Sequence, residues 1–183
     1  MPGMVVLGAT MSLDGFINDA SGSVSKLYEN FDALHDAEPL RESMEKTGAV
    51  VIGRHTYEMA NGDFTGYEYQ TPIFVVTHHA PSAIAKGTND QLRFIFVTEG
   101  VESAIRQAKA AAGDRDVTII GTPGISAQCL KTGLVDALEV DIVNVLLGAG
   151  LRFFADDSPP LELERTRVLE LADRTHLRYH LRK

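Results

Sequence analysis

Two places in this sequence set a glycine and several polar donors between an apolar run and a stretch of helical character. The first is Gly53-Arg54-His55-Thr56, which follows Val50-Val51-Ile52. Glycine lets the backbone turn sharply out of a strand. The start of the next helix offers free N–H groups, and Thr56 adds a hydroxyl, a combination that suits an anion. Arg54 and His55 add side-chain donors, and a guanidinium can bind phosphate through two parallel hydrogen bonds. A surface turn with two solvated side chains is the alternative reading. The second place is Gly121-Thr122-Pro123-Gly124-Ile125-Ser126. It is not a GxGxxG sequence, and by itself it reads equally as a simple βα turn. The two together are more informative than either, because a dinucleotide needs several contacts.

A third strand end carries Thr77-His78-His79. A hydroxyl and an imidazole there suit an adenosine phosphate, and a solvated loop fits as well. Adjacent histidines diverge in an extended segment, and no Cys/His cluster has zinc-site spacing, so no metal is expected. Two carboxylates are candidates for chemistry. Asp14 follows the first strand, as either a catalytic group or an Asp-Gly turn residue. Asp36 and Glu38 stand at the start of a helix, where a carboxylate positions a proton or caps the helix. Cys129 lies in an apolar helical pattern and reads as a buried, inert thiol.

Short strands are expected at residues 4–11, 49–52, 73–77, 94–98 and 117–120, with a longer one at 137–145. Helical spacing runs through residues 28–46 (Phe31, Leu34, Ala37, Leu40, Met44), with Pro39 suited to a first turn and Gly48 to a stop. Further helices are expected from 56 to 60, from 101 to 112 and from 125 to 131. After Pro159-Pro160 the pattern alternates at 161–164, 166–171 and 176–181, as half-exposed antiparallel strands do. Strand and helix alternate first and strands dominate later. That order predicts an α/β fold with a mostly parallel central sheet, helices on both faces and an antiparallel C-terminal edge.

The 183 residues fit a single domain spanning 1–183, with 44% apolar and 23% charged residues. The formal net charge of −8 repels nucleic-acid phosphate and anionic lipid, so neither nucleic acid nor membrane is expected as a partner. The opening residues lack a basic segment followed by a long apolar run. A cytoplasmic setting and a small-molecule partner are therefore expected.

The segment Val50-Val51-Ile52-Gly53-Arg54-His55-Thr56-Tyr57-Glu58 resembles the NADPH-phosphate motif of the dihydrofolate reductases. The opening Ala9-Thr10-Met11-Ser12-Leu13-Asp14-Gly15-Phe16-Ile17 is similar to bacterial reductases of that fold. Two further runs, 133–138 and 145–154, resemble the reductase domain of the bifunctional riboflavin-pathway deaminase-reductase. The resemblance spans nearly the whole chain and implies a dihydrofolate-reductase-like three-layer fold and an NADPH-dependent reductase. Gly53, Arg54, His55 and Thr56 would hold the cofactor phosphates, with Arg54 near the 2′-phosphate. Thr77 and His78 would lie near the adenosine. Gly121, Thr122, Gly124, Ile125 and Ser126 would flank the pyrophosphate or the nicotinamide side. Ala9, Thr10 and Ile17 would line the nicotinamide pocket, and Asp14 and Glu38 are the expected catalytic acids.

The resemblance also implies a homodimer. The chain departs from the pattern at Pro123, which removes an N–H donor, and at Asn144, where the riboflavin branch carries proline. Ala37 falls where dihydrofolate reductases carry their helix carboxylate, which argues against dihydrofolate itself as substrate. The substrate is expected to be a small heterocycle or carbonyl compound. An NADPH-binding or sensing protein without catalysis is the alternative.

Overall fold

The computed structural model describes residues 3–30, 35–82, 85–154 and 159–182. Its centre is a sheet of β1 (Val5–Ser12), β2 (Thr47–Gly53), β3 (Ile73–Val76), β4 (Phe94–Val97), β5 (Asp116–Ile120), β6 (Ala137–Val143), β7 (Leu163–Glu170) and β8 (Arg174–Leu181). The spatial order is β4-β3-β2-β5-β1-β6-β8-β7. Neighbours from β4 through β6 pair parallel, and β8 pairs antiparallel with both β6 and β7. The sequence accounts for this split. β2 reads Thr-Gly-Ala-Val-Val-Ile-Gly and is buried at every position, as a parallel strand covered on both faces must be. β7 is largely exposed and closes the edge.

Helices α1 (Glu38–Lys46), α2 (Arg54–Met59), α3 (Val101–Ala112) and α4 (Pro123–Lys131) cover the sheet. α3 presents Val101, Ala104, Ile105 and Ala108 to one face, and α4 adds Ile125, Cys129 and Leu130. Both pack on Val5, Leu7, Val51, Ile119, Leu138 and Val140. On the opposite face, Tyr57 of α2 and Leu40 and Met44 of α1 pack with Val50, Ile52, Ile73, Val75 and Phe64. Each such aliphatic side chain contributes roughly 1.5–3 kcal/mol when fully buried. Cys129 is in this core, and burial pushes its thiol up to about 12.

Several boundaries differ from those expected. α2 begins at Arg54 rather than at 56, because Gly53 is still extended (φ −85°, ψ 163°) and serves as its N-cap. α4 begins at Pro123, two residues early, since proline is tolerated in a first turn. β6 stops at Val143. The two alternating runs expected at 161–164 and 166–171 form one strand, with a register irregularity between Arg165 and Arg167. Pro39 lies in the first turn of α1 as expected, while Phe31 and Leu34 lie outside the described residues.

The face that carries α1 and α2 has two chemical halves. Across β4, β3 and β2 its side chains are Phe94, Phe96, Ile73, Val75, Val50 and Ile52. Across β1, β6 and β8 the in-register rows are polar or small. One row runs Gly8, Glu139, Arg178; the next runs Thr10, Asp141, His176. α1 bridges to the polar half through ion pairs of Glu38 and Glu42 with Arg167. Among the described residues no helix is long and apolar enough to cross a membrane.

Candidate active site

The two glycine junctions are neighbours. β2 and β5 pair parallel, with Ile52 opposite Ile120, so Gly53 and Gly121 leave the sheet side by side. Ile125 packs over both. A Cβ on Gly53 would stand 3.5 Å from the Ile125 side chain, and one on Gly121 only 2.4 Å from its Cγ2. Gly121 is thus required by close packing rather than by a left-handed backbone. In α4, Pro123 has no N–H, and Ser126 N already bonds the Thr122 carbonyl. The N–H groups of Gly124 and Ile125 are therefore the first-turn donors without an intrahelical partner. Among the described residues nothing lies within 4 Å of where a Cβ on Gly124 would stand, while Ile125 itself is buried. Arg54 and His55 lie outside, each more than half exposed and near Glu58. At the next strand end, the buried Thr77 donates its hydroxyl to the His79 carbonyl at 2.9 Å, while His78 is exposed. The Ser126 hydroxyl is likewise committed, donating to Thr122 O at 3.1 Å.

A cleft of about 350 Å³ runs from this corner over the polar half of the sheet. Thr56, Gly121 and Thr122 line one end, and Ala9, Thr10 and Ile17 line it further along. Six of the residues expected at the cofactor thus share one cavity wall. Gly53, Arg54, His55, Thr77, His78, Gly124, Ile125 and Ser126 are not on that wall. The far end is walled by Met59 and by Tyr67, Glu68 and Tyr69 of the segment after α2, with Glu139, Asp141, His176 and Tyr28 on the other side.

There the Asp141 carboxylate meets the His176 ring, Oδ1 to Nδ1, at 2.8 Å. Behind them lies Arg174, 1% exposed. It donates to both oxygens of Asp173 (2.9 and 3.0 Å) and to the Leu27 carbonyl (3.0 Å). Among the described residues its Nη1 has no hydrogen-bond partner, and it stands 3.9 Å from Asp141 Oδ2. Glu139 accepts from Arg178 at 2.7 Å. Tyr28 shares a hydrogen bond with Thr10, and burial raises its phenol. Burial also raises Tyr67 and pushes Tyr69 up to about 12.

The two acids expected to do chemistry are placed differently. The Asp14 carboxylate accepts from Ser12 Oγ (2.6 Å) and from the backbone N–H groups of Leu147 (3.1 Å) and Gly148 (2.7 Å). Chiefly through Ser12, these bonds lower it to about 2. It ties two loops together and does not line the cleft. Glu38 also lies off the cleft wall, largely exposed and paired with Arg167. The carboxylates on the wall are Glu68, Glu139 and Asp141, none of which the motif reading singled out. A signal for two of them was present. Charges at alternate positions in otherwise apolar β6 (Glu139, Asp141), against Arg174, His176 and Arg178 in β8, foretell cross-strand pairs on one face.

Residues 4–177 match the family described as RibD C-terminal domain. The chain belongs to that family. Solved structures agree on the fold. A protein ascribed to riboflavin biosynthesis from Shewanella sp. PV-4 aligns with a TM-score of 0.78 at 21% identity, over 98% of this chain and 99% of that one. The diaminohydroxyphosphoribosylaminopyrimidine deaminase/5-amino-6-(5-phosphoribosylamino)uracil reductase of Thermotoga maritima aligns at 0.75 and 17% identity. That match takes in 98% of this chain and 57% of the longer bifunctional one. Dihydrofolate reductase from Enterococcus faecalis, solved with NADP(H), aligns at 0.66 and 18% identity over 100% and 99%. No curated protein matches in sequence. The RibD C-terminal domain family and the dihydrofolate-reductase-like α/β fold are both as the sequence motifs implied.

Proposed function

We propose that this RibD C-terminal domain protein is an NADPH-dependent reductase acting on a small, unphosphorylated heterocycle or carbonyl compound. The observation that carries this reading is one continuous cleft. It joins the Gly121 junction, which stands beside Gly53 in the sheet, to a polar pocket lined by Asp141 and His176. Its volume lies in the range of small-molecule sites.

The residues present fit a phosphorylated dinucleotide. The N–H groups of Gly124 and Ile125, which have no intrahelical partner, the Thr56 and Thr122 hydroxyls, and Arg54 and His55 are donors suited to phosphate. Thr77 and His78 stand at the neighbouring strand end, on the adenosine side, and Ser126 supports the α4 turn. Ala9, Thr10 and Ile17 line the path toward the polar pocket. NADPH bound along this route would supply the hydride, and the protein supplies position and electrostatics.

Charge narrows the substrate. Glu68, Glu139 and Asp141 line the pocket, and no lysine or arginine does so among the described residues. Glu139 and Asp141 already have Arg178 and His176 as partners, so the like charge that a phosphate would meet there is chiefly that of Glu68. The phosphoribosyl compound reduced by the Thermotoga relative is therefore a poor fit here. A homodimer joined along the exposed β7 edge, where Leu163 and Val168 are uncovered, is part of the same proposal.

Titration of the protein with NADPH, followed by cofactor fluorescence, tests the first step; saturable binding is expected. NADPH oxidation is then measured with isatin, 4-nitrobenzaldehyde and 5-amino-6-(5-phosphoribosylamino)uracil. Preference for an unphosphorylated acceptor supports the reading. Preference for the phosphoribosyl compound overturns the charge argument. Binding without oxidation of any acceptor makes this a cofactor-binding protein instead. Sedimentation as a monomer at micromolar concentration removes the dimer.

A further inference from the structure

Reduction of a C=O or C=N bond needs a hydride on carbon and a proton on the heteroatom. The groups that line the cleft offer few proton carriers. The phenols of Tyr28, Tyr67 and Tyr69 are all raised by burial, away from the neutral range where general acids work best. Glu139 is committed to Arg178. His176 differs from these. It is among the residues that line the cleft, and it also borders the smaller cavity under α1, although it is only 4% exposed. Nδ1 is held by Asp141 at 2.8 Å, which leaves Nε2 as the ring nitrogen that Asp141 does not engage.

The position is set by three strands in register, with Thr10, Asp141 and His176 side by side. The charged or titratable groups that share a cavity wall with His176 are Asp141 and Glu139 from β6, Arg178 from β8, Arg167 from β7, Glu42 and Lys46 from α1, Asp116 from β5, and Tyr28, Tyr67, Glu68 and Tyr69, with Arg174 behind Asp141. Of these, Asp141 alone has a carboxylate oxygen on the ring.

We propose that His176, oriented by Asp141, is the proton donor of this cleft. The assignment rests on the reductase reading above. The substrate carbon accepts a hydride from the reduced nicotinamide dinucleotide. The substrate oxygen or nitrogen takes the proton from His176 Nε2, and the C=O or C=N π bond becomes a C–H and an O–H or N–H bond. His176 is left neutral, with its remaining proton on Nδ1, held by Asp141, and takes a new proton from water. Asp141 is a positioning residue. It fixes which ring nitrogen faces the substrate, as carboxylates paired with catalytic histidines do.

The test combines NMR with kinetics. ¹⁵N-histidine-labelled protein saturated with NADPH is titrated by NMR, with the His176 signals assigned by their loss in His176→Gln. The expected results are an Nε2 signal that shifts on adding isatin, and an alkaline fall in kcat that coincides with the NMR midpoint. In His176→Gln, kcat drops about 100-fold or more and the alkaline fall disappears, while the NADPH Kd changes less than about 2-fold. In Asp141→Asn, the kinetic fall and the NMR midpoint move together. The proposal is overturned if His176→Gln keeps its kcat within about 3-fold, if Glu68→Gln removes the alkaline fall in its place, or if isatin leaves Nε2 unmoved. Failure of the wild-type protein to bind NADPH, read separately by fluorescence, overturns the reductase reading itself.

Discussion

The two ends of the cleft are built from different materials. At the β2/β5 corner, what matters is backbone. Gly53 and Gly121 lie side by side under Ile125, and the donors proposed for the cofactor are N–H groups in the first turn of α4. At the β6/β8 end, what matters is side chains. Asp141, His176, Glu139 and Arg178 face one another across paired strands, with Arg174 buried behind them. Such a backbone site tolerates changes in most side chains around it but not the addition of a Cβ at Gly121. A side-chain site depends on each partner being present. The first arrangement suits a cofactor shared across many reactions, and the second suits a substrate particular to one.

The largest expected effect of breaking either end is at Arg174. Its guanidinium is 1% exposed, and it joins Asp173, Leu27 and Asp141. Arg174→Leu leaves the carboxylates without their cation. Removing one partner of a buried ion pair costs about 3–5 kcal/mol, which for a chain of this size lowers Tm by roughly 6–20 °C. Thermal unfolding measures it. A change of only a degree or two would mean that the guanidinium contributes little and that the substrate end is set by backbone as well.

The corresponding change at the other end is Gly121→Val. The new Cβ would lie 2.4 Å from Ile125 Cγ2, and the branched side chain cannot be placed without moving α4. Overpacking of this kind costs about 1–3 kcal/mol. The same movement displaces the N–H groups of Gly124 and Ile125, so NADPH affinity is expected to fall about 10–100-fold, measured by fluorescence titration. Gly124→Ala, where no atom lies within 4 Å of the added Cβ, is expected to bind nearly as the parent does. Equal affinity in both variants would show that the α4 turn does not hold the cofactor.

These contrasts also explain what could be read without coordinates. The glycine junctions, the parallel core strands and α3 (Val101–Ala112) are local. β-branched runs, a glycine and a helical apolar face each lie within about ten residues. The family motifs lie in the same local segments. The proposed substrate end is assembled from β1, β6 and β8, and the register that sets Thr10 beside Asp141 and His176 depends on pairing over more than 100 residues of chain. Asp14 and Glu38 illustrate the converse. Each sits where a catalytic acid is expected by sequence position, yet the structure gives them Ser12 and the 147–148 backbone, or Arg167, as partners. Alternating charges in β6 and β8 were legible; which partner each would meet was not.

A smaller effect sharpens the cofactor end by separating its two kinds of donor. Arg54 is more than half exposed, with Glu58 at 3.7 Å as its ion-pair neighbour, so it contributes little to folding. Its expected role is at the 2′-phosphate. Arg54→Ala should leave Tm within about a degree and lower the preference for NADPH over NADH about 10-fold. That is the worth of one charge-assisted hydrogen bond of about 1.5 kcal/mol. Parallel titrations with the two cofactors measure it. An unchanged ratio would move the 2′-phosphate contact to His55 or His78.

Asp14 gives the smallest effect, one confined to acid. Its carboxyl is lowered from 3.8 to about 2, first by the Ser12 hydroxyl and also by the Leu147 and Gly148 N–H groups. A group whose folded pKa lies below its unfolded one adds stability above the unfolded value. That stability is lost as pH falls through the folded value. The Asp14 contribution is therefore present at neutral pH and disappears between about pH 4 and pH 2. Asp14→Asn keeps the shape but removes the charge. Its Tm should lie slightly below that of the parent at pH 7, and the gap should close as the pH is brought down through that window. NADPH binding should be unchanged, because the Asp14 tie joins loops outside the cleft wall. If Asp14→Asn instead lost reductase turnover with Tm intact, Asp14 would act on the substrate after all, and the division between a backbone-built cofactor end and a side-chain-built substrate end would have to be redrawn to include the loop at 144–154.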